Sequence, residues 1–158
     1  MTLNPSQKIM SLQESDTDAV ARLISEDPLF QKYDYTYENA ARHLKKTLSQ
    51  PGQDLILLKE DGRIQGFAWF IKEGTFQRSG YLKLIVVAPD SQCRGVGRIL
   101  LEELESRYLK PNGIFILVTS TNTHARSFYE KLGYRCVGEV KDFVKAGFTE
   151  SIYYRAGG

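Results

Sequence analysis

The chain has 158 residues, of which 42% are hydrophobic and 25% charged, and this composition predicts one globular domain over residues 1–158. Its 21 basic and 19 acidic residues form no basic block, which argues against a nucleic-acid partner. No stretch approaches the roughly 18 apolar residues of a membrane span, and Cys93 and Cys136 lack metal-ligand spacing, so we expect a reduced, cytoplasmic protein with no metal and no membrane contact.

Strand and helix signals alternate along the first third of the chain. A short strand over residues 8–15 leads to Asp16 or Thr17, either of which can serve as the N-cap of a first helix. Residues 29–37 are aromatic and show no clear period. Thr36 then precedes an apolar helical pattern, so we predict that it caps a second helix.

The rest of the chain reads as strands with two further helices. Asp61 and Gly62 separate two apolar runs, which is a strong hairpin signal. Pro89 ends a strand that is buried on much of both faces. The remaining predicted elements are a helix over 95–110, a strand over 114–120, a helix over 123–133 and final strands over 134–140 and 151–155. This order predicts an α+β or mixed α/β layer.

The turn between the buried strand and the helix of residues 95–110 can hold an anion. The first N–H groups of a helix lack intrahelical partners and lie at the positive end of its dipole. Because Gly95 and Gly97 carry no side chains, a pyrophosphate could approach these amides closely, although an ordinary tight connection also explains the pattern. A nucleotide P-loop does not match, since Arg98 follows Gly97, and Leu100 replaces the third glycine of a dinucleotide fingerprint.

Two motifs carry a family resemblance. Residues 92–97, Gln-Cys-Arg-Gly-Val-Gly, match Q/R-x-x-G-x-G/A in full, and residues 119–134, TSTNTHARSFYEKLGY, follow at a typical separation. The two stretches resemble motifs A and B of the GCN5-related N-acetyltransferases, or GNAT family. Residues 9–24 are similar to the first strand and helix of that family. The resemblance implies an α/β fold of the acyl-CoA N-acyltransferase type, with a central, mostly antiparallel mixed sheet flanked by helices.

The resemblance also implies acetyl-CoA as cosubstrate. Backbone groups at the end of the buried strand would pair with the pantetheine arm as an added strand does, and amides of the glycine loop would bind the pyrophosphate. Arg94 and Arg98 lie near the phosphates or are solvated surface residues, and Asn122 binds the pantetheine region or caps its helix. The cofactor-binding positions so implied are Ile85, Val86, Val87, Gln92, Cys93, Arg94, Gly95, Val96, Gly97, Arg98, Asn122 and Tyr129.

Tyr129 matches the tyrosine that the family uses to protonate the departing thiolate, although packing against Phe128 also explains it. A backbone amide around Val86 or Val87 would stabilise the oxyanion. Tyr81 stands where several members carry a glutamate base, and a phenol with a reference pKa of about 10 is a poor base at neutral pH. The base stays open between relayed water and a carboxylate such as Glu73, Glu139 or Asp142.

The acceptor is predicted to be a primary amine of a small molecule that attacks the thioester directly. In this family the loops corresponding to residues 30–39 and 142–150 shape the acceptor pocket. Acidic and tyrosine side chains of the first loop suit an amine, but core packing explains the tyrosines equally well. A protein N-terminus or lysine as acceptor, and an acyl-CoA-binding module without catalysis, are the alternatives. Relatives often pair through a strand edge, so the chain can also form a homodimer.

Overall fold

The structure is a computed structural model, and it describes residues 2–158. Over this range the chain forms seven strands and five α-helices. In chain order they are β1 Gln7–Ser11, α1 Thr17–Glu26, α2 Pro28–Lys32, α3 Tyr37–Thr47, β2 Gln53–Glu60, β3 Arg63–Thr75, β4 Ser79–Val87, α4 Val96–Tyr108, β5 Ile114–Thr119, α5 Thr123–Lys131, β6 Arg135–Lys141 and β7 Thr149–Arg155. Short 3₁₀ helices, Glu14–Asp16 and Pro89–Ser91, precede α1 and follow β4.

The strands form a mixed sheet in the order β1-β2-β3-β4-β5-β7-β6. Strand β1 pairs with β2, and β7 with both β5 and β6, in antiparallel register, whereas β4 and β5 are parallel. The predicted mixed α/β fold class is therefore confirmed. None of the helices within residues 2–158 has the length and apolar character needed to cross a membrane.

The chain divides into two compact units, and residues 2–70 with 84–104 form the first. Helices α1 and α3 pack against each other through buried apolar side chains on one stripe of each, including Val20, Ile24 and Leu44. The predicted cap is confirmed, because the hydroxyl of Thr36 accepts a hydrogen bond from the amide of Asn39 at 3.2 Å. Strands β2 and β3 supply the rest of this core with buried runs over residues 55–58 and 67–70.

Residues 71–83 and 105–158 form the second unit. Its core is aromatic: the ring of Tyr129 lies 5.8 Å from that of Tyr134 and 6.5 Å from that of Tyr153, and all three residues are buried. The hydroxyl of Tyr134 donates to Glu105 at 2.9 Å, and Arg155 forms an ion pair with the same carboxylate at 2.7 Å. These contacts hold β7 and the end of α4 together.

Several predicted boundaries were wrong for local reasons. The first strand ends at Ser11, since residues 14–16 form a 3₁₀ turn, and the aromatic stretch contains α2. Asp27 caps α2 by accepting from the amide of Leu29 at 2.8 Å, and Pro28 occupies the first turn, so capping rather than periodicity starts this helix. Helix α4 ends at Tyr108, before the predicted end at residue 110, and the side chain of Tyr108 is only partly buried.

Candidate functional site

The glycine loop of the first unit, residues 88–95, connects β4 to α4. Strand β4 ends at Val87, and α4 begins at Val96. Cys93 and Gly95 both have positive φ angles, 61° and 82°. The amide of Ile99 donates to the carbonyl of Gly95 at 3.0 Å, which is the first hydrogen bond of α4. The N–H groups just before Ile99 therefore have no acceptor within the helix. An anion placed there meets several donors and the positive end of a helix dipole.

Contacts with β3 fix this loop in place. Ser91 is fully buried and donates to the side-chain oxygen of Gln65, and the amide of Ala88 donates to the carbonyl of Gln65 at 2.8 Å. A Cβ added to Gly66 would lie 2.7 Å from the side chain of Val96. The sequence analysis did not single out Gln65, Gly66 or Ser91, because their role depends on contacts between distant segments.

Both arginines of the loop form ion pairs with glutamates. Arg94 lies 3.3 Å from Glu60, and Arg98 lies 2.7 Å from Glu102. The two arginine side chains are about half exposed, at 53% and 50%. Both arginine side chains are therefore partly exposed to solvent, and each has a carboxylate partner. Arg94 also borders a polar depression of about 470 Å³, lined by Glu60, Asp61, Arg63, Gln65, Asp90 and Arg94.

Strands β4 and β5 of the sheet pair over a short distance. The parallel register includes Gly80 with Ile114, Tyr81 with Phe115 and Leu82 with Ile116. Farther along β5, Leu117, Val118 and Thr119 pair with β7. The predicted pantetheine segment Ile85, Val86 and Val87 follows the end of this register on β4. Ligands commonly bind at the carboxyl ends of parallel strands, so this is the expected end of the sheet for a cosubstrate.

Tyr129 lies in the aromatic core of the second unit. It is 5% exposed, and the ring of Phe128 packs edge-on against it at 5.1 Å. Burial alone raises the pKa of Tyr129 far above its usual value, so the hydroxyl keeps its proton at neutral pH. The packing contact is therefore present, and the residue also has the protonation state that a general acid needs.

Asn122 caps α5. Its side-chain oxygen accepts from the amide of Ala125 at 3.1 Å. The cap uses this oxygen, whereas the amide group of the same side chain is a donor. In the next turn, Arg126 donates to the hydroxyl of Tyr153 at 3.0 Å and to the carbonyl of Ser120 at 3.1 Å. Arg126 thus binds the end of β5 and the adjacent strand rather than extending into solvent.

Tyr81 is unsuited to act as a base at neutral pH. Burial raises the pKa of Tyr81, and the charge of Glu150 raises it further. Glu150 is itself 3% exposed on β7, opposite Thr119. Sequence reasoning treated it only as the end of the loop 142–150. The alternation Glu150, Ile152, Tyr154 along a strand could have placed it on one face with its neighbours.

The remaining acceptor candidates serve local structure. The hydroxyl of Tyr35 lies 2.9 Å from Nδ1 of His43, and the hydroxyl of Tyr37 donates to Asp18 at 2.8 Å. Both tyrosines thus connect elements of the first unit through their hydroxyl groups. The carboxylate of Asp142 accepts from the amide of Gly147 at 2.6 Å and so closes the turn before β7. Within residues 2–158 no three His, Cys, Asp or Glu side chains cluster as a metal site would require.

The family model described as the Acetyltransferase (GNAT) family matches residues 17–134. The chain belongs to this family, and the prediction of an N-acetyltransferase is confirmed. Acetyl-CoA is the acetyl donor that the family implies. No curated protein matches the sequence significantly.

Solved structures share the fold at low sequence identity. A protein of Desulfovibrio desulfuricans assigned to the GNAT family superposes with a TM-score of 0.81 at 23% identity, covering 96% of this chain and 99% of that one. The spermidine N-acetyltransferase of Vibrio cholerae in complex with CoA and spermine gives 0.79 at 16% identity, covering 96% of each chain. The ribosomal-protein-S18-alanine N-acetyltransferase of Escherichia coli gives 0.76 at 21% identity, with coverage of 94% and 92%. At these identities the likeness establishes the fold alone.

Proposed function

We propose that the protein transfers the acetyl group of acetyl-CoA to a primary amine of a small molecule by direct attack on the thioester. The observation that carries the cosubstrate assignment is the loop before α4. Cys93 and Gly95, shortly before the first residue of α4, both have positive φ angles, and buried Ser91 fixes the loop to β3. Such a preorganised group of amides fits a pyrophosphate without help from charged side chains.

The proposed contacts follow the sequence assignment. Backbone amides from Cys93 through Arg98 bind the pyrophosphate, with Gln92 at the start of the loop, and Asn122 reaches the pantetheine with its side-chain amide group. Backbone groups of Ile85, Val86 and Val87 pair with the pantetheine arm, and an amide near Val86 or Val87 stabilises charge on the reacting oxygen. Arg94 and Arg98 reach the phosphates only when they exchange their glutamate partners for them.

Proton movements complete the proposed reaction. When bound, acetyl-CoA supplies the activated acetyl group, and the carbon–sulfur bond breaks as the amine nitrogen bonds to the carbonyl carbon. The ammonium form of the acceptor first gives one proton to water and so becomes a nucleophile. After the nitrogen–carbon bond forms, the nitrogen gives a second proton to water, Tyr129 donates its proton to the sulfur, and water returns a proton to Tyr129. Tyr129 is protonated at neutral pH and so can donate a proton, although burial, by raising its pKa, makes the hydroxyl a weaker acid than a solvated phenol. Water, and not Tyr81, accepts the protons of the amine, because the raised pKa of Tyr81 keeps its phenol protonated at neutral pH.

A melting experiment tests the cosubstrate assignment first. Excess acetyl-CoA should raise the melting temperature, because ligand at a hundred times its dissociation constant stabilises a fold by about 2.7 kcal/mol. ATP and NAD should give no comparable shift. Release of CoA in the presence of amines then tests transfer. Absence of a shift at saturating acetyl-CoA would refute the cosubstrate assignment, and acetylation of peptides in preference to small amines would refute the acceptor class.

We extend the proposal to the cellular form of the protein. The sequence supports a single cytoplasmic domain over residues 1–158 and allows pairing through a strand edge into a homodimer. Light scattering of the purified chain across a concentration series tests the pairing. A mass of one chain at every concentration would exclude the homodimer.

A further inference from the structure

One face of the sheet in the second unit has a consistent chemical character. In the register of β4, β5 and β7, Tyr81 lies beside Phe115 and Phe115 beside Tyr154, while Leu117 pairs with Ile152 and Thr119 with Glu150. Residues directly opposite each other point to the same side of a sheet, as do alternate residues along a strand. We call this set the acceptor face: Tyr81, Phe115, Leu117, Thr119, Glu150, Ile152 and Tyr154.

Helix α5 covers the opposite side of these strands. Tyr129 of α5 packs on Tyr153, whose register partner on β5 is Ile116, and both partners are buried. On the acceptor face, the aromatic and aliphatic side chains remain only partly buried. The rings of Phe115 and Tyr154 lie 4.5 Å apart, and Phe76 packs edge-on against Phe115 at 6.0 Å while being 86% exposed. The face therefore offers an apolar, aromatic surface to a ligand.

Glu150 adds one buried negative charge to the end of this surface. It lies opposite Thr119, the last residue of β5. Thr119 comes three residues after Ile116, the last residue of β5 that pairs with β4. By the register of β4, β5 and β7, Glu150 and Tyr81 point to the same side of the sheet, and the charge of Glu150 contributes to the raised pKa of Tyr81. The side chain of Glu150 is only 3% exposed, and a buried carboxylate attracts a cation more strongly than a solvated one does.

We propose that the acceptor face binds the acetyl acceptor and that the carboxylate of Glu150 binds its ammonium group. This inference rests on the proposed acetyltransferase function and names its substrate class: a monoamine with an aromatic or apolar body. A single carboxylate pairs with one ammonium group, and the body lies along Leu117, Ile152 and the aromatic rings. A polyamine fits poorly, because its further ammonium groups would be desolvated against this apolar surface.

The test uses 2-phenylethylamine and spermidine as acceptors at saturating acetyl-CoA. For the wild type, kcat/KM should be higher with 2-phenylethylamine. Glu150→Gln should raise the KM for this amine about tenfold or more, since hydrogen bonds to charged groups contribute about 1.5–3 kcal/mol, with a much smaller change in kcat. Glu150→Asp keeps the charge and should restore part of the affinity. The melting shift with acetyl-CoA should stay unchanged in both variants.

Glu26→Gln is the matched control. Glu26 is an exposed carboxylate on α1 in the first unit, and it lies outside the acceptor face. Its removal should leave both kinetic constants unchanged. The inference fails if Glu150→Gln keeps the KM of the wild type, or if spermidine is the better substrate. A wild type that neither binds acetyl-CoA nor releases CoA with any amine would instead refute the proposed function, and the inference with it.

If Glu150→Gln does not fold, the comparison moves to Glu150→Asp and to Tyr81→Phe. Glu150→Asp withdraws the carboxylate by one methylene and should raise KM several-fold, whereas Tyr81→Phe keeps the carboxylate and should raise it less. Equal KM values for Glu150→Asp and the wild type would overturn the role of Glu150.

Discussion

At the scale of single residues, Tyr129 combines two properties. Its ring packs in the aromatic core with Phe128, Tyr134 and Tyr153, and its pKa is raised by burial. Tyr129→Phe removes the hydroxyl and keeps the ring, so packing should persist while proton donation is lost. We expect kcat to fall about a hundredfold, because general acids typically contribute that much or more. The dissociation constant of acetyl-CoA, measured by calorimetry, should stay the same.

Tyr37→Phe controls for the loss of a tyrosine hydroxyl elsewhere. That hydroxyl donates to Asp18 on the surface of the first unit, so its loss should not alter kcat. If Tyr129→Phe kept full kcat, Tyr129 would be a packing residue and another group would protonate the sulfur. If the wild type and Tyr129→Phe both bound acetyl-CoA but neither acetylated any amine, the chain would be an acyl-CoA-binding module.

The ion pair between Arg94 and Glu60 leads to a second prediction. Glu60 also accepts a hydrogen bond from Asn4. This hydrogen bond is the largest cause of the lowered pKa of Glu60, and the charge of Arg94 lowers that pKa further. If Arg94 binds a phosphate, Glu60 competes for it. Glu60→Gln should then tighten acetyl-CoA binding about two- to fivefold, the range expected for an exposed pair, and Arg94→Ala should weaken it.

Calorimetric titration with acetyl-CoA at low and high salt measures both effects. The gain from Glu60→Gln should shrink at high salt, because exposed charges are screened. Glu26→Gln removes an exposed carboxylate of α1 and should have no effect. Unchanged affinity in both Glu60→Gln and Arg94→Ala would assign Arg94 to the protein surface.

At the scale of elements, the start of α4 depends on a glycine of β3. A Cβ at Gly66 would meet the side chain of Val96 at 2.7 Å, that of Leu100 at 3.0 Å and the carbonyl of Val86 at 3.2 Å. Gly66→Ala should therefore push α4 away from the strand. We expect the free energy of unfolding to fall by about 1–3 kcal/mol, as overpacked cores do, and acetyl-CoA binding to weaken because the loop amides move with the helix.

Gly138→Ala provides the comparison for this variant. An added Cβ there would have its nearest neighbour at 3.9 Å, so stability and acetyl-CoA affinity should be close to those of the wild type. Urea unfolding and calorimetric titration measure the two quantities. A Gly66→Ala protein with unchanged acetyl-CoA affinity would show that the loop does not depend on this packing.

The elements that the sequence predicted are those fixed by local chemistry. The hairpin forms at Asp61 and Gly62 because both residues adopt positive φ angles, 49° and 78°, which this pair tolerates well. Thr36 caps α3 through an amide three residues away. The glycine loop was also predictable, because a motif of six consecutive residues specifies its backbone.

Contacts between distant segments could not be predicted from the sequence. Arg94 and Glu60 are 34 residues apart, and their ion pair depends on how β2 and the glycine loop meet. Glu150 joins the acceptor face only because β7 lies beside β5, although β6 precedes it in the chain. Register and strand order decide such neighbours, and a single sequence contains no direct signal for either.

At the scale of the whole molecule, buried tyrosines govern stability in alkali. Burial raises the pKa of Tyr81, Tyr129 and Tyr134, so these residues keep their protons in the folded state at a pH where the unfolded chain ionises them. The unfolded state then binds fewer protons than the folded state, and the free energy of unfolding falls as the pH rises. Burial also raises the pKa of Tyr35 and Tyr153, which act in the same direction, whereas Lys83, whose pKa burial lowers, acts in the opposite direction.

The free energy of unfolding should therefore fall above the reference tyrosine pKa of about 10, by up to about 1.4 kcal/mol per pH unit for each buried tyrosine. Urea unfolding one pH unit below and one above that value measures the change, and tyrosinate absorbance of the folded protein shows which phenols keep their protons. Tyr129→Phe removes one such group, so its stability should fall less steeply. A free energy that does not fall across this range, or an equal slope in Tyr129→Phe, would mean that Tyr129 ionises in the folded protein as readily as in water, and would contradict the burial of its hydroxyl in the aromatic core.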